Sequence, residues 1–308
     1  MSKLVAVTGA TGFVGPHLVS ALARRGFKLR LLIRRWSPMP SLPGVEAEIV
    51  LGDLGNEAAL RRLVEGADAV VHAAGLIKAR TPADFLAINR DGTARLSAAA
   101  PAAQFILLSS LAAREPALSA YAGSKRAAEQ VVAARTGTWV VVRAPAVYGP
   151  GDRETLAYFR AAARGSAPRP WMNGARLALI HIEDLAEALA ATVAEAPPAS
   201  VYEIDDGREG GYGYDDMAAA ASAGLGRAVR SLPVPRTAME IVGAANGVRH
   251  ALGGAAQILT RAKAAEMFHP DWTVHDRRLA AAIGFHPRYD LTAGFRDTIL
   301  WYRRQGWL

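Results

Sequence analysis

Leu4-Val5-Ala6-Val7-Thr8-Gly9-Ala10-Thr11-Gly12-Phe13-Val14-Gly15 decides the fold of this chain of 308 residues. A short apolar run of strand type ends in a turn with three glycines three apart, and a helical pattern follows at once from Pro16 through Ala23. This is the pattern of a phosphate cradle. Gly9 allows the tight turn, Gly12 lets backbone N–H groups approach a pyrophosphate, and Gly15 lets the helix pack closely on the strand. The helix N-terminus adds a favourable potential for an anion. The spacing is GxxGxxG and not GxGxxG, so the common fingerprint is matched in logic and not in letters.

Outward from this turn, strand and helix patterns alternate. Lys28–Ile33, Ala47–Leu51, Ala69–His72, Gln104–Leu108 and Trp139–Arg143 read as strands two to six. Helix-length stretches lie at Pro16–Arg25, Glu57–Val64, Asn89–Ala100 and Tyr121–Arg135. Such alternation predicts an α/β fold, a doubly wound parallel sheet with helices on both faces. After Tyr148-Gly149-Pro150-Gly151-Asp152 the regularity fails. Ala157–Arg164 reads as a helix, Ser166–Arg176 as a loop bearing Pro and Gly, Leu177–Ile182 as a strand, Glu183–Glu195 as a helix and Val201–Ile204 as a short strand. The expected division is a dinucleotide-type domain of residues 1–150 plus 177–204, with 151–176 plus 205–308 as a smaller substrate domain.

Composition narrows the function. Charged residues make up 21% and hydrophobic residues 51%, values of a globular chain. There is no cysteine, which excludes disulfides, thiolate chemistry and cysteine-ligated metals. The first strand begins by Leu4, leaving no room for a secretory signal, so a cytoplasmic location is the expectation. The formal net charge of +8 suits a phosphate-bearing cofactor or substrate, or an anionic membrane surface. Nucleic acid is not expected, because no segment carries a basic stripe interleaved with aromatics.

Tyr121-Ala122-Gly123-Ser124-Lys125 puts a tyrosine and a lysine four apart at the start of a helix, on one face. A free phenol titrates near ~10 and a lysine beside it favours the phenolate, so Tyr121 is expected to act as a general acid or base with a lowered pKa. Ser109 and Ser110 stand after the fifth strand, at the carboxyl edge where such sheets bind ligands. A hydroxyl there can donate to a carbonyl oxygen. No HExxH or clustered carboxylates support metal catalysis, and His72 and His181 read as packed strand histidines.

Together these residues resemble the extended short-chain dehydrogenase/reductases, which include NAD-dependent nucleotide-sugar epimerases and dehydratases, hydroxysteroid dehydrogenases and ketoreductases. The resemblance runs through Thr8–Gly15 (TGxxGxxG), Gly52-Asp53-Leu54, His72-Ala73-Ala74-Gly75, Asn89–Thr93, Tyr121/Lys125 (YxxxK), Arg143–Gly151 and His181–Ala186. It implies a catalytic set of Ser110, Tyr121, Lys125 and Asn89, the last as a structural or relay asparagine. It implies that a cofactor lies against Gly9, Thr11, Gly12, Phe13, Val14, Gly15, Asp53, Leu54, Ala73, Ala74, Gly75, Lys125, Pro145 and Val147. In such folds an acid after the second strand bonds the ribose 2′-hydroxyl, whereas an arginine accommodates a 2′-phosphate. Here Ile33 is followed by Arg34, Arg35 and Trp36, which predicts NADP(H) over NAD(H).

Ser110 is followed by Leu-Ala-Ala-Arg-Glu, which offers no extra acid and base for dehydration, so simple ketone reduction or alcohol oxidation is expected. From Arg236 to Lys263, Met239, Val242, Ala245, Val248, Leu252, Ala255 and Leu259 recur at helical spacing among basic residues. Such a stretch suits a lid or a peripheral lipid contact as well as plain core. The overall cast resembles the branch of bacterial lipid ketoreductases, including those acting on 3-keto-sphingoid or ceramide precursors, and of the complex I accessory subunit. The expected partner is an amphiphilic keto substrate, and the chain is expected to be a monomer or homodimer. The competing readings are a nucleotide-sugar epimerase or reductase and a non-catalytic NADP-binding subunit.

Overall fold

A computed structural model describes residues 2–35, 37, 42–241 and 261–308. In chain order the strands are β1 (Leu4–Thr8), β2 (Lys28–Ile33), β3 (Ala47–Leu51), β4 (Ala69–His72), β5 (Gln104–Ser110), β6 (Trp139–Ala144), β7 (Ala146–Tyr148), β8 (Ser166–Pro170), β9 (Arg176–Leu177), β10 (Leu179–His181), β11 (Ser200–Glu203), β12 (Arg230–Val234) and β13 (Asp271–Trp272). The principal sheet has seven strands in the order β11-β6-β5-β4-β1-β2-β3. Every pair in it is parallel. The order reverses between β1 and β4, which opens the crevice where a parallel sheet takes its ligand.

Helices α1 (Val14–Arg24), α2 (Glu57–Val64), α3 (Pro82–Phe85), α4 (Asp91–Ala99), α5 (Ala120–Ala133), α6 (Leu156–Ala163), α7 (Ile182–Glu195) and α8 (Tyr214–Leu225) follow the strands. Strand alternation sorts the core into two layers. Val5, Val7, Val140 and Val142 meet Leu18 and Leu22 of α1 and Leu185 and Leu189 of α7. Ala6, Val70, Phe105 and Val141 meet Leu60, Leu63, Leu96 and Val132 on the opposite face. Both faces are covered, which is why these strands read as unbroken apolar runs. Each Val, Leu or Phe among them, fully buried, contributes ~1.5–3 kcal/mol.

The C-terminal helix Leu291–Arg304 packs on α8 and supplies Phe295, Ile299 and Tyr302 to a third cluster with Tyr148 and Phe159. Three two-stranded parallel sheets complete the pairing, β10-β7, β12-β8 and β13-β9, and the last two bring strands that follow β11 onto strands that precede it. Among the described residues, no helix is long and apolar enough to cross a membrane.

Four expectations are corrected. Leu177–Ile182 is not one strand, because Leu177 ends β9, which pairs with β13, Leu179–His181 forms β10, which pairs with β7, and Ile182 begins α7. Ser166–Arg176 is not wholly loop, because Ser166–Pro170 pairs with Arg230–Val234. Ser109 and Ser110 do not follow β5 but are its last two residues, paired with Arg143 and Ala144. The stretch Asn89–Ala100 is not one helix: a π-helical turn, Leu86–Arg90, precedes α4. Most of the amphipathic stretch, residues 242–260, and Trp36 lie outside the described residues. Residues 236–241 are helical.

Candidate active site

The glycine turn begins at the carboxyl end of β1. Gly9 holds φ +82, and a Cβ there would fall 2.6 Å from Ala74 N and 2.7 Å from Ala73 C, so the turn lies hard against the segment leaving β4. A Cβ on Gly15 would fall 2.3 Å from Gly9 O, so the first turn of α1 rests directly on the loop. Gly12 differs. Its nearest neighbour would be Gly9 O at 3.4 Å, so the protein itself leaves room there. The first turn of α1 has no side-chain cap and no acidic residue, which leaves its N–H groups and positive potential for an exogenous anion. Phe13 lies over the loop towards Gly151, and His17 Nε2 meets Pro150 O at 3.1 Å. An open glycine and uncapped N–H groups fit a dinucleotide pyrophosphate.

Across the crevice, α5 carries Tyr121 and Lys125 one turn apart. Ser119 caps the helix, its Oγ accepting from Ala122 N at 2.9 Å. Tyr121 stands near enough to the Ser110 side chain for the hydroxyl to act on its phenol, and it packs edge-on against Phe85, with ring centroids 6.1 Å apart. Lys125 Nζ donates to Leu108 O at 2.7 Å. A Cβ on Gly75 would lie 4.0 Å from that Nζ, so the bare backbone of Gly75 leaves space beside it. The structure thus brings Ser110, Tyr121, Lys125 and Gly75 together.

The expected lowering of the Tyr121 pKa is corrected. Burial pushes the phenol up to about 12, the hydrogen bond from Ser110 pulls it down, and the charge of Glu266 pushes it up again. Burial also brings Lys125 down to about 8, against the opposing pull of Glu129. In this protein alone, desolvation outweighs any help the lysine gives the phenolate.

Ser109 and Ser110 are separated by strand alternation. Ser109 is buried, and its Oγ donates to Glu129 Oε1 at 2.6 Å, away from Tyr121. Glu129 also accepts from Arg143 Nε at 2.8 Å and Nη2 at 2.7 Å. The Tyr121, Lys125, Glu129 spacing of four is the one signal in the sequence for this residue.

A buried polar chain ties the glycine turn to α5. Ala74 N–H donates to Thr8 Oγ1 at 3.4 Å, and Thr8 Oγ1 meets His72 Nδ1 at 2.6 Å. His72 Nε2 meets Thr93 Oγ1 at 3.0 Å, and Thr93 donates to Asn89 O at 2.5 Å. These directions require a neutral imidazole protonated on Nε2. Burial, aided by the charge of Lys125, lowers His72 to about 3. Asn89 Nδ2 donates to Leu76 O at 3.0 Å and Ser124 Oγ at 2.8 Å, while its Oδ1 accepts from Leu76 N at 2.7 Å. Its amide therefore binds the loop after β4 to α5, and no bond from it reaches Tyr121.

The remaining expected residues fall as follows. Arg34 and Arg35 are exposed beyond the carboxyl end of β2. Asp53 Oδ1 accepts from Gly55 N at 2.9 Å. The Leu54 side chain is buried among core residues and lies against Gly92, so only its backbone can face a ligand. Thr11, Phe13, Val14, Ala73, Ala74, Pro145 and Val147 are half-buried along the crevice segments. His181 and Asp184 are buried, and Asp184 accepts from Arg288 N at 3.1 Å and Tyr289 N at 3.0 Å, pinning the loop before the last helix. Lys78 and Glu154, neither foreseen, pair at 2.6 Å.

Residues 5–205 match the NAD dependent epimerase/dehydratase family. The chain belongs to that family. It is an extended short-chain dehydrogenase/reductase, of a family that binds a nicotinamide dinucleotide. It is 42% identical over 307 residues to "Ceramide reductase" of Caulobacter vibrioides, a match covering 99% of this chain and 96% of that one. It is 30% identical over 226 residues to "4-hydroxy-2-methyl-3-oxo-4-farnesyl-3,4-dihydroquinoline-1-oxide ketoreductase" of Stigmatella aurantiaca, over 65% of this chain and 67% of that one. Among solved structures, MoeE5 in complex with UDP-glucuronic acid and NAD superposes with a TM-score of 0.74 at 24% identity, covering 99% of this chain and 100% of that one. That likeness is one of fold.

Proposed function

We propose that the protein is an NADP(H)-dependent ketoreductase that converts a ketone on a lipid-like substrate, of the 3-keto-sphingoid or ceramide type, to a secondary alcohol. The observation that carries this reading is the meeting of Ser110, Tyr121 and Lys125 at the sheet edge facing the open glycine turn. The similarity to the Caulobacter ceramide reductase supports the substrate class.

Gly9, Gly12, Gly15 and the first turn of α1 would hold the pyrophosphate, and Arg34 and Arg35 the 2′-phosphate. A nicotinamide dinucleotide held there would supply the hydride for the carbonyl carbon. Ser110 orients the carbonyl oxygen, and Tyr121 gives its phenolic proton to that oxygen as the hydride's two electrons arrive at carbon. A phenol held above its ordinary value is fully protonated at neutral pH, as a donor for reduction must be. Lys125 places a positive charge beside the phenolate that remains, and Asn89 positions α5 and the loop after β4. Residues 1–150 with 177–204 serve the dinucleotide, and 151–176 with 205–308 the substrate. Exposed Arg236 and Ile241, at the described start of the amphipathic stretch, suit peripheral contact with a lipid surface.

The test is NADPH oxidation with long-chain 3-keto sphingoid and ceramide substrates. Tyr121→Phe is expected to lower turnover by ~10²–10⁴-fold. Full turnover in that variant overturns the assignment of Tyr121. Activity on a nucleotide-sugar panel and none on long-chain ketones overturns the substrate class.

A further inference from the structure

The helix Arg261–Met267 lies far from the catalytic helix in sequence, yet its Glu266 reaches the first turn of α5. Glu266 is buried, and its Oε1 accepts from Ser119 Oγ at 2.5 Å. The same Ser119 hydroxyl accepts from Ala122 N at 2.9 Å, so one side chain caps α5 and is itself held by a carboxylate. Lys263 Nζ donates to Glu266 Oε2 at 2.9 Å, and Trp272 Nε1 donates to its backbone oxygen at 2.8 Å. A carboxylate at this place also suits the positive end of α5.

We propose that Glu266 is a positioning residue for Tyr121, fixing the first turn of the catalytic helix through Ser119 and placing a negative charge at the N-terminal end of the helix that bears the phenol. The proposal rests on the reading of Tyr121 as the proton donor. Phe85 from α3 packs against Tyr121 and Lys125 lies one turn further along α5, while the Ser110 hydroxyl from β5 and the charge of Glu266 act on the phenol. Around Glu266 stand Ser119, Lys263, Trp272 and His269, the last lying 3.8 Å from Glu115. Of the groups that act on the phenol, burial and the Glu266 charge favour its protonated form. Loss of the carboxylate charge therefore makes the phenol easier to ionise, and the sign of the effect is fixed.

The experiment is an alkaline titration of tyrosinate absorbance in the full chain, in which subtraction of the Tyr121→Phe curve isolates Tyr121. Glu266→Gln keeps an acceptor for Ser119 and removes the charge. It is expected to move Tyr121 ionisation to lower pH by about half a unit or more, with Glu266→Asp closer to the parent. An unmoved titration in a folded Glu266→Gln protein overturns the proposal. Should that variant fail to fold, Glu266→Ala removes the same charge without placing an amide there. A shift of Tyr121 ionisation to lower pH supports the proposal and an unchanged curve overturns it. The titration needs no substrate, so it stands or falls apart from any failure to reduce ketones.

Discussion

Arg143 meets Glu129 side-on beneath α5, its Nε and Nη2 donating to the two carboxylate oxygens at 2.8 and 2.7 Å. The pair does not end there. Arg143 also faces Glu203 at 3.7 Å, Glu203 faces Arg114 at 3.4 Å, and Arg114 donates to Thr273 O at 2.7 Å and Asp271 O at 3.1 Å. A ladder of buried charge thus runs from the helix of Tyr121 and Lys125 to the segment around β13.

Glu129→Gln leaves Arg143 buried without its bidentate partner, which is expected to cost ~3–5 kcal/mol of folding stability. The same change removes the charge that opposes the lowering of Lys125, so Lys125 should lose its proton below about 8. The alkaline limb of the pH–rate profile then moves to lower pH. Urea unfolding and that profile check the two halves separately, and a stability within ~1 kcal/mol of the parent would contradict the first.

The glycine turn separates folding from binding. Gly15→Ala drives a Cβ to 2.3 Å from Gly9 O and should destabilise the chain severely. Gly12→Ala meets no protein atom closer than 3.4 Å and should leave the melting temperature nearly unchanged. NADPH affinity should nonetheless fall about tenfold or more, a loss of ~1.4 kcal/mol or greater. Differential scanning fluorimetry with and without NADPH distinguishes them.

The exposed Arg34 and Arg35 should matter to one cofactor more than the other. Replacing both with alanine is expected to weaken NADPH by about tenfold or more and to leave NADH within about a factor of three. Equal losses for both cofactors, measured by fluorescence titration, would refute the 2′-phosphate assignment.

His72 predicts an acid limit to stability. Its folded value, about 3, lies below the ordinary 6.5, so as pH falls the unfolded chain takes up the proton first. The stabilising contribution is complete above about 6.5 and is lost progressively towards about 3. His72→Gln, whose amide still offers a donor and an acceptor to Thr93 and Thr8, should flatten the decline over that interval. Melting temperature against pH for the two proteins checks it.

Local patterns carried most of the fold. Lys28–Ile33, Ala47–Leu51, Glu57–Val64 and Ala69–His72 stand where periodicity puts them, because short aliphatic runs of strand length and a helix with one apolar face leave plain marks. Ser166–Pro170 left none. Pro168 and Pro170 lack N–H donors and read as loop, yet a two-stranded ribbon asks for little donation from one edge, and β12 lies 64 positions away. At the site, Tyr121 and Lys125 announce themselves by spacing. Glu266 could not, since 147 positions separate it from Ser119. The Tyr121 ionisation is not legible for a related reason: sequence shows the lysine nearby but not the depth of burial.

The ribbons β12-β8 and β13-β9 also bear on how new specificity could be engineered into this scaffold. Strands β8 and β9 precede α7 and β11, whereas their partners β12 and β13 follow them. A chimera made by exchanging only the tail after β11 would inherit mismatched halves of both ribbons. A graft that preserves pairing must carry the segment around β8 and β9 together with the tail, threaded on either side of a retained α7 and β11.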